Sequence, residues 1–176
     1  MIIAEQKKQD NIIEYIIYMF QIQDILRANN FEIEKINDLI INKYNISETE
    51  KKIVRNWYEN LINLMYEDKI TVSGNLKFLN NLMTELNNLH KVLLSDEHNL
   101  KHAELYRWAK PNINEFKELS KSNSENEIEI CINALYSLFL LRLQKKAISD
   151  NTMMAMQTFS NLLANIALVY KCLALK

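Results

Sequence analysis

An all-α fold, a single-domain up-and-down bundle of about seven or eight helices over 1–176, is predicted from three observations. Glycine and proline occur once each in 176 residues, as Gly74 and Pro111, where average usage gives roughly a dozen and nine. Apolar residues recur with a period near 3.6 almost from end to end. The interruptions between periodic stretches are short and suit helix connections rather than domain boundaries. Glycine and proline make most turns and strand edges, so a sandwich, a barrel or a doubly wound sheet is not expected. A glycine-rich phosphate loop cannot be built.

Each element follows from local chemistry. The first helix is expected over 3–28, apolar around nearly the whole wheel from Ile12 to Leu26, as in helices buried on most sides. A second covers 32–44. The third, 48–70, opens on Ser47-Glu48-Thr49-Glu50, where hydroxyl and carboxylate satisfy orphan N–H groups reciprocally. The fourth spans 74–94, with Gly74 at its start. Asp96 is a candidate N-cap for a helix over 97–110. Pro111 lacks an N–H and disfavours helix at Lys110, so a break and a separate helix over 112–120 are expected. The connection 120–124 leads to a helix over 125–147, opened by a second capping box, Ser124-Glu125-Asn126-Glu127. Its polar strip from Ile128 to Lys146 comprises Glu129, Asn133, Ser137 and Gln144. Asp150 is a candidate N-cap for the last helix, 151–175. Met156 extends the stripe Phe159, Leu163, Ile166 and Tyr170, while Met153 and Met154 point elsewhere.

Composition bounds the function. Apolar residues make up 48% and charged residues 24%, with a formal net charge of −1, ordinary for a folded protein. The four arginines form no basic stripe, so nucleic-acid binding is not expected. No run reaches about 18 uninterrupted apolar residues, and the opening MIIAEQKKQD does not read as a secretory leader. Neither a membrane span nor a signal peptide is expected. Cys131 and Cys172 fall in apolar helical stretches without a CxxC pair and read as reduced core thiols, which makes the cytoplasm the expected compartment.

The candidate functional residues are polar side chains on apolar helix faces. Arg142 projects among Cys131, Leu135 and Leu138; Gln23 and Arg27 fall inside the arc of Ile12, Ile13, Ile16 and Phe20, with Asp24 at its edge. A buried guanidinium must be paired, since an isolated one costs several kcal/mol. Two readings follow: an ion pair with Asp24 or Glu14 that fixes helix register, or a pocket in which Arg27 and Arg142 hold an anion. His90 lies between Leu79 and Met83 on its helix, where it suits a core imidazole donating to a carbonyl or carboxylate. His98 and His102 are four apart and could share a helix face. A zinc site needs at least a third protein ligand, and none lies nearby, so no metal or other cofactor is expected. G-x-S-x-G, H-E-x-x-H and suggestive Cys/His spacings are absent, and no catalytic residue is assigned.

The opening MIIAEQKKQDNIIEYIIYMFQIQDILRANN, the middle SGNLKFLNNLMTELNNLH and the ending EIEICINALYSLFLLRLQKKAISDNTMMAMQTFSNLLANIALVYK resemble an uncharacterised family of Bacteroidota proteins, the domain-of-unknown-function family 4924. The resemblance covers essentially the whole chain. It implies an all-helical single domain and no established activity. It also places Gln23, Asp24, Arg27, His90 and the LLRLQKK block at 140–146 in the family's recognisable segments. The expected function is a non-catalytic helical protein acting through protein–protein contact or self-association. The alternative is a small anionic-ligand binder with a pocket lined by Arg27, Arg142 and His90.

Overall fold

The structure, a computed structural model, describes residues 2–174. Among these it contains eight α-helices: α1 (Ile2–Asp10), α2 (Ile12–Ala28), α3 (Ile33–Leu39), α4 (Glu48–Glu67), α5 (Lys77–Ser95), α6 (Leu100–Leu119), α7 (Glu127–Leu143) and α8 (Asp150–Ala174). A short 3₁₀ turn, Ile41–Lys43, follows α3. The result is an all-α helical bundle. The expected limit of the last helix at residue 175 lies outside the described residues.

The bundle is assembled around the two helices that are apolar on nearly every side. From α2, Ile16, Met19 and Leu26 are fully buried; from α7, Ile128, Cys131, Ile132 and Ala134 are. They join Leu79, Met83 and Leu86 of α5 and Phe159, Leu162 and Ile166 of α8 in one apolar core. Each large aliphatic or aromatic side chain there contributes about 1.5–3 kcal/mol on leaving water. Helix α8 runs antiparallel to α6: His102 meets Asn165 (3.0 Å), while Asn112 Nδ2, further along α6, donates to Thr158 Oγ1 (3.0 Å), earlier in α8.

Several expected boundaries shift for identifiable reasons. The stretch 3–28 is two helices, because the Asn11 side chain accepts from the N–H groups of Ile13 and Glu14 and caps α2 (3.0 and 3.3 Å). The Ser47 capping box forms with Glu50 as expected. Gly74 does not open α5. It adopts φ +96° in the preceding loop, where a Cβ would stand 3.2 Å from Ile70 Cγ2. Pro111 does not break the chain either: α6 runs through it, and both Pro111 and Arg107, whose carbonyl loses its helical donor, face solvent. Asp96 caps a turn rather than α6, accepting from His98 N (3.0 Å). The second capping box moves by two residues. Asn126 caps α7 by accepting from Glu129 N (2.8 Å), while the Ser124 hydroxyl donates to the Glu129 carboxylate. Ser149, not Asp150, accepts from Thr152 N at the start of α8 (3.2 Å). Cys131 is buried as expected, but Cys172 is exposed.

With one glycine in the chain, the left-handed residue at a helix ending is Asn30 after α2 and a lysine after α4, α6 and α7. Lys69, Lys121 and Lys145 have φ of 57°, 52° and 55°. Each is followed by a backbone bond that reaches five residues back: Ile70 N to Met65 O, Ser122 N to Lys117 O and Lys146 N to Leu141 O. These are Schellman endings with lysine at the position glycine usually holds.

Candidate functional site

Gln23, Asp24 and Arg27 form a clasp on the loop 70–76. The Gln23 amide oxygen accepts from Leu76 N (2.8 Å) and its nitrogen donates to Asn75 Oδ1 (3.3 Å). Arg27 donates through Nε and Nη2 to the Ile70 carbonyl (3.3 and 3.1 Å), through Nη2 also to the Gly74 carbonyl, and through Nη1 to Asp24 (2.9 Å). Asp24 in turn accepts from the Tyr136 hydroxyl (2.6 Å). Every guanidinium nitrogen of Arg27 has a partner. The clasp ties α2, α7 and the approach to α5 together, the register-fixing arrangement among the two readings.

Arg142 lies elsewhere and is exposed. Helical angle placed it correctly beside Cys131, Leu135 and Leu138, but angle carries no information about depth along the bundle. Cys131 and Leu138 are buried, whereas one turn further on the core has ended. Arg142 donates to Met153 Sδ (3.5 Å) and borders a cleft of about 310 Å³ with Leu135, Leu138, Phe139, Met156 and Ser160. The hydrogen-bond partners of Arg27, Arg142 and His90 have no residue in common. The structure does not bring the three together.

His90 and His102 instead form a pair. His90 Nδ1 lies 2.9 Å from His102 Nε2, and both side chains are buried. Asn165 of α8 approaches His102 Nδ1 through Nδ2 (3.0 Å). On the far side, His90 Nε2 lies 3.4 Å from a Glu127 carboxylate oxygen, a loose contact outside good hydrogen-bond geometry. Lys110 pairs with the other oxygen, and the Tyr106 ring meets His90 edge-on at 4.9 Å. With one proton on each ring, the chain is consistent in one sense. Asn165 donates to His102 Nδ1, His102 Nε2–H donates to His90 Nδ1, and His90 Nε2–H faces the carboxylate. The reverse sense would set an imidazole lone pair against Glu127.

The charges fit this assignment. Burial, reinforced by the neighbouring His90, lowers the His102 pKa to about 4 and keeps it neutral. The His90 N–H, against the opposing effect of burial, and then Lys110 and Tyr106 hold Glu127 down at about 2. Burial pushes the Cys131 thiol up, away from reactivity. Four helices thus meet in one polar cluster: α5 through His90, α6 through His102, Tyr106 and Lys110, α7 through Glu127 and α8 through Asn165.

Sequence spacing missed this pairing because it joins residues twelve apart on different helices. The legible signal was that His102 continues the buried row Ala109 and Ile113 at helical intervals. His98, four residues earlier and the weak candidate to share its helix face, is not on α6 at all, and its side chain is 94% exposed. Among the described residues no group of three or more His, Cys, Asp or Glu side chains is placed to hold a metal ion.

A groove runs between the C-terminal halves of α6 and α7 and the N-terminal half of α8. Lys110, midway along α6, pairs with Glu127 at the start of α7, and Lys117 pairs with Glu125 (2.6 Å). The connection therefore folds back along α6. The space is about 890 Å³, with Ala134, Leu138 and Phe159 among its walls. Trp108, Leu119 and Met154 line it and are 62%, 77% and 63% exposed. None of the residues of the histidine cluster lines this groove or the Arg142 cleft.

A helical bundle pinned by an internal polar cluster and opened along a groove of mixed apolar and polar lining is the class of protein these features define. The chain belongs to the family described as Domain of unknown function (DUF4924), whose model matches residues 1–174. No curated protein and no solved structure matches it. Among the described residues no helix is long and apolar enough to cross a membrane.

Proposed function

We propose that this protein is a non-catalytic helical docking module that binds another polypeptide through the α6–α7–α8 groove. The observation that carries the reading is the grouping of Trp108, Leu119 and Met154, all largely exposed, around one groove. Scattered surface apolar residues are ordinary; large ones gathered at a groove mark contact surfaces. Tryptophan is also enriched among residues that dominate binding energy, and methionine adapts to irregular partners. The buried cluster of His90 and His102 serves this reading as scaffold, since it holds the walls in place from inside. A cytoplasmic setting belongs to the same proposal, because both cysteines are free.

The test is site-specific photo-crosslinking from Met154 in cells, with Trp108→Glu in the same chain as control. A discrete adduct that disappears with Trp108→Glu supports docking, whether the partner is another protein or a second copy. A protein that stays strictly monomeric by light scattering and yields no Trp108-dependent adduct would overturn it.

A further inference from the structure

We infer that the cleft beside Arg142 is a binding site for a small carboxylate with an apolar body. The site goes beyond the docking reading, since the cleft shares with the groove only the walls Leu138 and Met156.

The walls set the body of the ligand. The cleft lies between the C-terminal half of α7 and the N-terminal half of α8. Leu138 and Met156 are buried and Leu135 and Phe139 half-buried, so its floor is apolar. At about 310 Å³ it stands at the lower end of small-molecule sites. At the packing density of protein interiors that space holds about a dozen non-hydrogen atoms, too few for a nucleotide or a peptide helix. Met153, beside Arg142, and Ser160, at the far end, both line it, and seven residues of helix separate them by about 10 Å. One aromatic ring on a short linker has that length, and the Met153 and Met156 thioethers suit a ring edge.

The rim sets the head. Arg142 is the one charged residue that lines the cleft. Its position, rather than its lack of an ion pair, distinguishes it from other surface cations: it stands at the edge of an apolar hollow. Its hydrogen bond goes to Met153 Sδ (3.5 Å), a weak acceptor, and the rest of the planar fork is open to a ligand. Two parallel N–H groups match the two oxygens of a carboxylate. A phosphate is favoured instead by several cations or a nest of backbone N–H groups, and no second cation lines this cleft. An exposed guanidinium–carboxylate pair contributes little by itself, so the head fixes orientation and charge while the apolar body supplies most of the affinity.

The experiment follows the Met153 and Met156 methyls of the full chain by ¹³C-methyl NMR. The probes are 3-phenylpropanoate, its uncharged amide, acetate and inorganic phosphate. The aryl acid should give saturable shifts at both methyls and bind at least ~5-fold tighter than the amide at low salt. Acetate and phosphate should leave them unmoved up to ~10 mM. Arg142→Gln should bring the acid down to the affinity of the amide, while Lys145→Gln/Lys146→Gln keeps the difference. All three altered side chains are exposed, so the fold tolerates the changes. Equal affinity for acid and amide, or a preference that survives Arg142→Gln, overturns the carboxylate head. Acetate or phosphate binding as tightly as the aryl acid overturns the apolar body. Shifts that do not saturate, or that spread over the other methionines, overturn the site.

Discussion

His90 Nδ1 and His102 Nε2 stand 2.9 Å apart in the interior, joining α5 to α6 through two ring nitrogens. The pair works as a donor–acceptor chain closed at one end by Asn165 and at the other by Glu127. Its consequence is a pH dependence of stability. His102 has a folded pKa of about 4 against 6.5 in the unfolded chain. Between those values the unfolded state binds a proton that the folded state refuses, so stability is full above about pH 6.5 and falls as pH drops toward 4. The loss approaches about 3 kcal/mol. Glu127, held at about 2, adds a second loss only below its ordinary carboxylate range. Urea titrations at intervals from pH 7.5 to 4 read this directly. His102→Gln keeps a donor toward His90 without titrating and should flatten the curve; an unchanged slope would place its origin elsewhere.

Gln23 is buried, and its side-chain oxygen is the acceptor for the Leu76 amide at the entry to α5. Replacing it by leucine keeps the volume and strands that N–H. Gln23→Leu should cost about 1–3 kcal/mol, the usual penalty for an unsatisfied buried donor. Hydrogen exchange at Leu76 should accelerate well beyond that at Met83 on the same helix. Equal acceleration along α5 would mean that the clasp does not act locally.

The Schellman endings at Lys69 and Lys121 hold lysine where the left-handed conformation costs roughly 1–2 kcal/mol. Glycine removes that cost but gains freedom in the unfolded chain, worth about 0.4–1 kcal/mol the other way. Lys121→Gly should therefore stabilise by up to about 1 kcal/mol, and Lys69→Gly by a similar amount. Thermal melts of the two variants and their combination check both sign and additivity.

Pro111 sits on the exposed side of α6 and leaves the Arg107 carbonyl without its helical donor. Proline within a helix costs about 3 kcal/mol, partly offset by the stiffness it lends the unfolded chain. Pro111→Ala should raise stability by about 1–2 kcal/mol with no change in the helical signal by circular dichroism. A decrease would show that α6 depends on a bend at this residue.

Much of the bundle could be read from the chain. The capping box at Ser47 needs only four consecutive residues, and the apolar wheels of α2 and α7 need only helical periodicity. Pro111 misled because local chemistry disfavours a helix there, while packing of Asn112 and Phe116 against α8 outweighs that preference. Arg142 misled because a wheel gives angle and no depth.

What the sequence by itself determined is the class of structure: scarce glycine and proline, 3.6-residue periodicity and short connections leave helices packed on helices. Those signals are local, because backbone propensity and side-chain spacing act over a turn or two. Only the tertiary structure decided which polar residues meet. It took His102 away from His98 and gave it to His90, set Arg27 on the carbonyls of a loop some forty residues away, and left Arg142 exposed beside a separate cleft. Such contacts depend on crossing angles and axial offsets between whole helices, which arise from the packing of all their faces at once.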